Sequence, residues 1–160
     1  MRERILGYLK NNSRFDLSEM SVLLGMDETA IANEIAQMEK EGVIRGYLTL
    51  IDWEKTSNER VSAMIEVKVT PQRDRGFDSV AERIYRYDEV DSVYLVSGSF
   101  DLMVLIEGSS MREVAMFVAN KLSTLDSVLS TSTNFVLKKY KDHGTYFVSP
   151  REDERLRVSP

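Results

Sequence analysis

The feature that most limits the fold of this chain is a pair of short helical segments, each bounded by an acidic residue and a glycine. Asp16 precedes apolar residues at helical spacing, and Gly25 follows them. Asp27 precedes a second helical repeat, which ends at Gly42. An Asp side chain accepts hydrogen bonds from the first backbone N–H groups of a helix, and glycine readily adopts the left-handed conformation that ends one. The pattern therefore predicts two helices joined by a tight turn.

Apolar residues at helical spacing predict which side of each helix is buried. A leading helix precedes the pair, and residues 43–52, which are rich in β-branched and aromatic side chains around Gly46, predict a two-stranded wing. The expected buried residues are Ile5, Leu6 and Leu9 in the leading helix, Met20, Leu23 and Leu24 in the next, and Ile31, Ile35 and Met38 in the third. Together these elements predict a winged helix-turn-helix over residues 1–52, of the kind that binds DNA. The alternative is a three-helix packing unit without a DNA role.

The third helix supplies the candidate DNA contacts. Its outward face carries Thr29, Asn33 and Gln37, whose side chains can hydrogen-bond bases or phosphates. Lys40 is the one cation of residues 28–41, and Arg45 follows on the expected wing, near phosphate.

The charge of this head counts against strong DNA binding. The third helix region also carries four glutamates, Glu28, Glu34, Glu39 and Glu41. Residues 1–56 hold seven Lys and Arg against ten Asp and Glu. Because counterion release supplies most non-specific affinity, this balance predicts weak binding for each head, with several copies needed for avidity. The alternative is a head that has lost DNA binding and serves as scaffold.

The remainder of the chain predicts a separate α+β domain. Residues 53–60 are polar apart from Trp53 and are expected to form a linker. Residues 61–141 alternate between strand and helix patterns in the order β-α-β-β-α-β, which is the ferredoxin-like arrangement. Both helices would cover one face of the sheet, and a second copy of the chain would cover the other.

Composition excludes several classes of chemistry. The chain has no cysteine and one histidine, so thiolate sites, His-based triads and multi-histidine metal sites lack their parts. No phosphate-binding glycine motif occurs, and we expect no cofactor, no metal and no catalysis. Neither a signal peptide nor a membrane-length apolar run is evident, so we expect a cytoplasmic protein that does not contact membranes.

Three stretches resemble the Lrp/AsnC (leucine-responsive and asparagine regulator) family of transcription factors. Residues 38–47 (MEKEGVIRGY) are similar to that family's recognition-helix exit and wing. Residues 93–101 (VYLVSGSFD) are similar to its Gly-x-Tyr-Asp hairpin, and residues 128–138 (VLSTSTNFVLK) to its final Thr-x-Thr strand. The resemblance covers residues 1–141 and rests on the order and spacing of the three motifs.

The resemblance implies a regulator that binds double-stranded DNA and senses an amino acid or a related small molecule. It implies a homodimer, which in this family often assembles into octamers or larger rings. The matching effector positions are Gly98, Phe100, Asp101, Thr131 and Thr133. Phe100 stands where the family has Tyr, so one hydroxyl is lost.

The residue types at these positions suit an amino acid. Asp101 would accept from its ammonium, the hydroxyls of Thr131 and Thr133 would donate to its carboxylate, and Gly98 would let the backbone approach closely. The alternative is a tight hairpin followed by an ordinary strand, in which Gly, Asp and Thr are all common. Residues 142–160 carry mixed charges and are expected to form a solvated tail, although residues 146–148 could instead add a short strand to a neighbour.

Overall fold

The computed structural model describes residues 1–12, 14–70 and 76–148. The chain divides into two compact units, Met1–Ile51 and Asp52–Pro160. We call the first unit the head and the second the body, and describe each by itself.

The head consists of three helices, α1 (Arg2–Leu9), α2 (Leu17–Leu24) and α3 (Glu28–Lys40). The Asp16 carboxylate accepts from the backbone N–H of Glu19 at 3.0 Å, and the Asp27 carboxylate from that of Ala30 at 3.1 Å. Gly25 follows α2 with a φ of 61° in the left-handed region. The predicted helix-turn-helix is therefore confirmed, and its helices begin and end where the caps were expected.

The head core is a single apolar cluster shared by all three helices. Its buried members are Ile5, Leu9, Met20, Ile31, Ile35 and Met38. The prediction that Leu23 is buried was wrong, because its side chain is 61% exposed. On this eight-residue helix the narrow buried stripe follows Leu17, Met20 and Leu24, and Leu23 lies on the other flank of Met20.

The segment after α3 differs from the expected wing. Residues 43–52, all of which the structure describes, form no strand. The backbone N–H groups of Val43 and Ile44 instead donate to the carbonyl of Met38, at 2.9 and 3.2 Å, and close the end of α3. The rest of the segment pairs with no strand among the residues that the structure describes. A strand needs a ladder partner, and the two predicted wing strands are therefore not formed in the described part of the chain.

The body contains a four-stranded antiparallel sheet and two helices. Its elements are β1 (Val61–Val69), α4 (Asp78–Tyr85), β2 (Val90–Leu95), β3 (Leu102–Gly108), α5 (Met111–Phe117) with a π-helical turn (Val118–Leu122), and β4 (Val128–Phe135). The strands lie in the order β2-β3-β1-β4. This order and the β-α-β-β-α-β sequence confirm the ferredoxin-like prediction.

The two faces of the sheet differ in their cover. One face joins the helices in the body core, where Ile65 and Val67 of β1 pack with Val80, Ile84 and Val114. On the other face, Met64 lies beside Leu105, and Met103 lies between Glu66 and Tyr94. Met64 is 40% exposed and Tyr94 is 53% exposed. We call this second side the open face of the sheet.

The segments that flank the sheet are more ordered than the sequence predicted. In the expected linker, Trp53–Lys55 forms a single 3-10 turn, and the Arg60 guanidinium lies 5.4 Å from the centre of the Trp53 ring. In the expected tail, β5 (Lys141–Asp142) pairs with β6 (Thr145–Tyr146) as a hairpin within the chain. Residues 149–160 of that tail lie outside the described residues. Among the residues that the structure describes, no helix is long and apolar enough to cross a membrane.

Candidate nucleic-acid interface and effector site

The outward face of α3 brings together most of the predicted DNA contacts. Helical geometry sets Thr29, Asn33 and Lys40 on the side opposite the buried stripe, and all three side chains are exposed. Ala36 is the fourth exposed residue of this strip. The centre of the face therefore carries a hydroxyl, an amide and an ammonium, with no carboxylate among them.

The glutamates of α3 lie on its flanks, and Arg2 of α1 holds two of them. The Arg2 Nε donates to Glu34 Oε1 at 2.5 Å, and Nη1 donates to Glu41 Oε2 at 2.6 Å. The Arg2 guanidinium, with help from the Gln37 amide, lowers the pKa of Glu41 to about 2. The pairing of these carboxylates with Arg2 was not predicted from the sequence, because no local pattern links residues so far apart.

Gln37 is exposed as predicted, but its amide turns towards this flank. Its Nε2 donates to Glu41 Oε1 at 2.7 Å. The amide is thus engaged by the same carboxylate that Arg2 holds.

A third glutamate, Glu39, accepts from the hydroxyl of Tyr47 at 2.8 Å. Burial of the ring and this bond together raise the pKa of Tyr47 to about 12. The Tyr47 ring also lies 5.6 Å from that of Phe15. This contact ties the segment after α3 back onto the head.

Arg45 lies at the carboxyl end of α3. Its guanidinium comes within 3.0 to 3.2 Å of the position that a Cβ on Gly42 would occupy. Gly42 also has a φ of 71°. A cation is favoured there because the last carbonyls of a helix carry partial negative charge. Arg45 therefore lies just beyond the last turn of α3.

The turn between α2 and α3 is fixed by side chains from two helices. Arg4 Nη2 donates to the carbonyl of Leu24 at 2.6 Å, and Ser21 Oγ donates to the carbonyl of Met26 at 2.6 Å. These bonds hold the last turn of α2 against α1 and the loop that leads into α3. The relative position of α2 and α3, on which any docking into a groove depends, is thereby set within the head.

In the body, Asp101 is bonded to the end of β1. Its Oδ2 accepts from the backbone N–H of Val69 at 2.9 Å, and its own N–H donates to the carbonyl of Val67 at 3.0 Å. Its carbonyl in turn accepts from the N–H of Val96 at 2.9 Å. One oxygen of the carboxylate expected to receive an ammonium thus already holds β1 and the β2–β3 loop together.

The two predicted threonines lie on the other side of β1. Thr131 pairs with Val67 and Thr133 with Ile65, so both hydroxyls share the face that the helices cover. Both side chains are half-buried on β4, which is an edge strand. Asp101 and Thr131 lie on opposite sides of Val67 in β1. Because each neighbouring strand is about 4.8 Å away, their backbones are about 10 Å apart. Asp101 and Thr131 therefore lie near one end of the sheet on opposite sides of β1, whereas Thr133 pairs with the middle of that strand.

The β2–β3 loop carries the remaining predicted effector residues. Gly98 is exposed, and a Cβ added to it would meet no atom within 4 Å. Phe100 is half-buried. None of the described residues therefore crowds the backbone at Gly98.

The body matches a known family over its whole sheet. Residues 62–146 match the family described as the Lrp/AsnC ligand binding domain. The chain belongs to the Lrp/AsnC family.

Relatives that match most of this Lrp/AsnC protein are helix-turn-helix regulators. It is 54% identical to the HTH-type transcriptional regulator YugG of Bacillus subtilis, over 98% of this chain and 95% of that one. It is 32% identical to an HTH-type transcriptional regulator of Pyrococcus furiosus, over 84% of this chain and 88% of that one. The chain is accordingly a transcriptional regulator of the helix-turn-helix type.

Solved structures of two other regulators share the fold. One is a transcriptional regulator from Neisseria meningitidis in complex with L-Met, with a TM-score of 0.71 and 24% identity, covering 92% of each chain. Another is the feast or famine regulatory protein from M. tuberculosis complexed with L-methionine, with a TM-score of 0.70 and 23% identity, covering 94% of each chain.

Proposed function

We propose that this regulator binds double-stranded DNA through the outward face of α3 and changes that binding when an amino acid occupies its body. The observation that carries the proposal is the exposed strip of Thr29, Asn33 and Lys40 on a capped helix that follows a fixed turn. An amide reads the edge of adenine and an ammonium neutralises phosphate, so the strip holds one group for each task. Arg45 at the end of α3 adds a second phosphate contact.

A mobility-shift assay at low salt tests DNA binding, with the DNA upstream of the chain's own gene as probe. Asn33→Ala should weaken binding to that DNA by about tenfold and leave binding to mixed-sequence DNA unchanged. Lys40→Gln should weaken binding to both and lower the salt slope by about one. Lys10→Gln, an exposed lysine at the end of α1, is the matched control. No shift of the upstream DNA at any protein concentration would contradict the proposal.

The expected effector is a free amino acid. Methionine complexes of two regulators with this fold support that class. The body offers the carboxylate of Asp101, the hydroxyls of Thr131 and Thr133, and the exposed backbone of Gly98. Because these groups are separated by β1, a small ligand would reach only part of the set in one chain, and a second chain would complete the site. Calorimetry against the twenty amino acids tests this assignment, and heat from none of them would contradict it.

We also propose that the regulator works as a homodimer, built through the open face of the sheet, and that dimers assemble further. Met64, Tyr94, Met103 and Leu105 give that face an apolar centre, which a second copy would remove from water. Two heads carried by one dimer would compensate for weak binding by each.

Binding rather than catalysis is the proposed activity. The lone histidine, His143, lies in the β5–β6 turn beside the carboxylate of Asp142 at 2.8 Å and is exposed. Within the described ranges, no group of three or more His, Cys, Asp or Glu side chains is arranged to hold a metal ion.

A further inference from the structure

The Arg2 side chain spans two turns of α3. Besides its bonds to Glu34 and to Glu41 Oε2, its Nη2 donates to Glu41 Oε1 at 3.1 Å. Glu34 and Glu41 are seven residues apart, which is about 10 Å along a helix. The planar guanidinium has donors on both sides and therefore bonds both carboxylates at once. A lysine ammonium, which is a compact point charge, would not span the two carboxylates.

The two carboxylates lie on one flank of α3, which docking of the helix into a major groove would bring near phosphate. A helix with its side chains is about 10–12 Å across, and the major groove is about 12 Å wide. When the Thr29–Asn33–Lys40 strip points at the base edges, the flanks of α3 therefore lie against the phosphate walls. Glu34 and Glu41 occupy one flank, where unpaired carboxylates would repel phosphate.

The cluster is open to solvent and ions. The side chains of Arg2, Glu34 and Glu41 are 44%, 22% and 38% exposed. Charges at such a site act on a neighbouring phosphate through water, so their effect depends on salt. The same bonds raise the pKa of Arg2 above its ordinary value, Glu41 contributing most, and so favour the charged guanidinium.

We propose that Arg2 is a positioning residue of the DNA interface. It neutralises Glu34 and Glu41 and so removes the repulsion between their flank of α3 and the DNA phosphates. This inference rests on the proposed DNA-binding function. Arg2 itself acts through the two glutamates and not by contacting a base.

The test compares three variants of the full chain on a fluorescent duplex of mixed sequence and on the upstream DNA. Arg2→Met should weaken binding to both duplexes by about tenfold at low salt, because two carboxylates are left unpaired beside the phosphates. The deficit should shrink with added salt, since the Debye length falls from about 30 Å at 0.01 M to about 3 Å at 1 M. Arg83→Met, which removes one exposed arginine from α4 of the body, is the charge-matched control and should bind like wild type.

The decisive variant is Arg2→Met combined with Glu34→Gln and Glu41→Gln. It lacks the cation but also lacks the two carboxylates, and it should recover wild-type affinity or exceed it. Thermal unfolding of each variant measures the structural effect separately. A merely structural role for Arg2 would leave the triple variant as weak as Arg2→Met.

Each result then decides the inference. Recovery in the triple variant, with a salt-sensitive loss in Arg2→Met, supports it. Persistent loss in the triple variant overturns it. With a lowered melting temperature that loss indicates a structural role for Arg2, and with an unchanged melting temperature it indicates a direct contact between Arg2 and phosphate. Wild-type affinity in Arg2→Met overturns it while leaving the proposed function intact, whereas failure of the wild-type chain to bind either duplex overturns the proposed function and this inference together.

Discussion

The carboxylate of Asp101 accepts a hydrogen bond from the backbone N–H of Val69 at 2.9 Å and so joins the β2–β3 loop to the end of β1. The bond gives Asp101 a structural role beside the one proposed for it in effector binding. The two roles can be separated, because an amide oxygen still accepts a hydrogen bond but carries no charge.

Asp101→Ala should lower the free energy of unfolding of the body by about 1–3 kcal/mol, because it leaves the Val69 N–H without its partner. Asp101→Asn should remain close to wild type in stability. Denaturant unfolding, followed by circular dichroism, measures both. In calorimetry with the effector amino acid, Asp101→Asn should nevertheless lose most of the affinity, since an ammonium prefers the charged acceptor. Unchanged affinity in the asparagine variant would remove the carboxylate from the effector site.

Gly42→Ala should destabilise the head by about 1–2 kcal/mol. Its φ of 71° is unfavourable for an L residue, and the added Cβ would lie 3.0 Å from the Arg45 guanidinium. Gly46→Ala is the matched control, because a Cβ at Gly46 meets no atom within 4 Å. Thermal unfolding of the two variants tests the difference. Equal melting temperatures would show that the end of α3 does not need the left-handed conformation.

Acid should weaken the α1–α3 contact through Glu41. Its pKa is lowered from 4.5 to about 2 in the folded head, so the stabilisation is present above pH 4.5 and is lost as pH falls towards 2. Other carboxylates titrate in the same range, so the useful comparison is with Glu41→Gln. The stability gap between wild type and Glu41→Gln should narrow steadily from pH 5 to pH 2 in circular dichroism melts. A gap that stays constant would contradict the ion pair with Arg2.

Met64→Lys should dissociate the proposed dimer, because it buries an ammonium at the centre of the open face of the sheet. Met64 is 40% exposed in the single chain, so the substitution should leave the fold of the body intact. Met116→Lys on α5, where the methionine is 49% exposed, is the control. Sedimentation velocity should give a smaller particle for Met64→Lys than for wild type or the control. An unchanged sedimentation coefficient would place the dimer interface elsewhere.

Local rules account for the features that could be predicted. The caps at Asp16 and Asp27 and the left-handed Gly25 depend on atoms within a few residues, so the sequence alone indicates them. The strand and helix periods of the body are local in the same way, and the topology follows because few folds accommodate that order. Strand geometry predicts that the side chains of Thr131 and Thr133 lie on the same face of the sheet. Which of the two faces they occupy depends on the register of β4 with β1.

Contacts between distant residues could not be predicted. From the sequence, Glu34 and Glu41 were expected to weaken DNA binding. Arg2, which is 39 positions from Glu41 in the chain, nevertheless pairs with it. Likewise, the partner of Asp101 lies 32 positions earlier in the chain. The missing wing strands and the exposed Leu23 have the same origin, since strand pairing and burial depend on what the rest of the chain brings alongside.

The sequence by itself therefore determined the elements, their order and the outward position of Thr29, Asn33 and Lys40. These depend on backbone periodicity and on capping bonds that span a turn. Only the tertiary structure decided that two glutamates of the acidic helix are neutralised by Arg2. It also decided that Asp101, expected to accept from an effector ammonium, bonds to the end of β1. A charge or an acceptor takes its effect from the groups that folding places around it, and no local pattern encodes those groups.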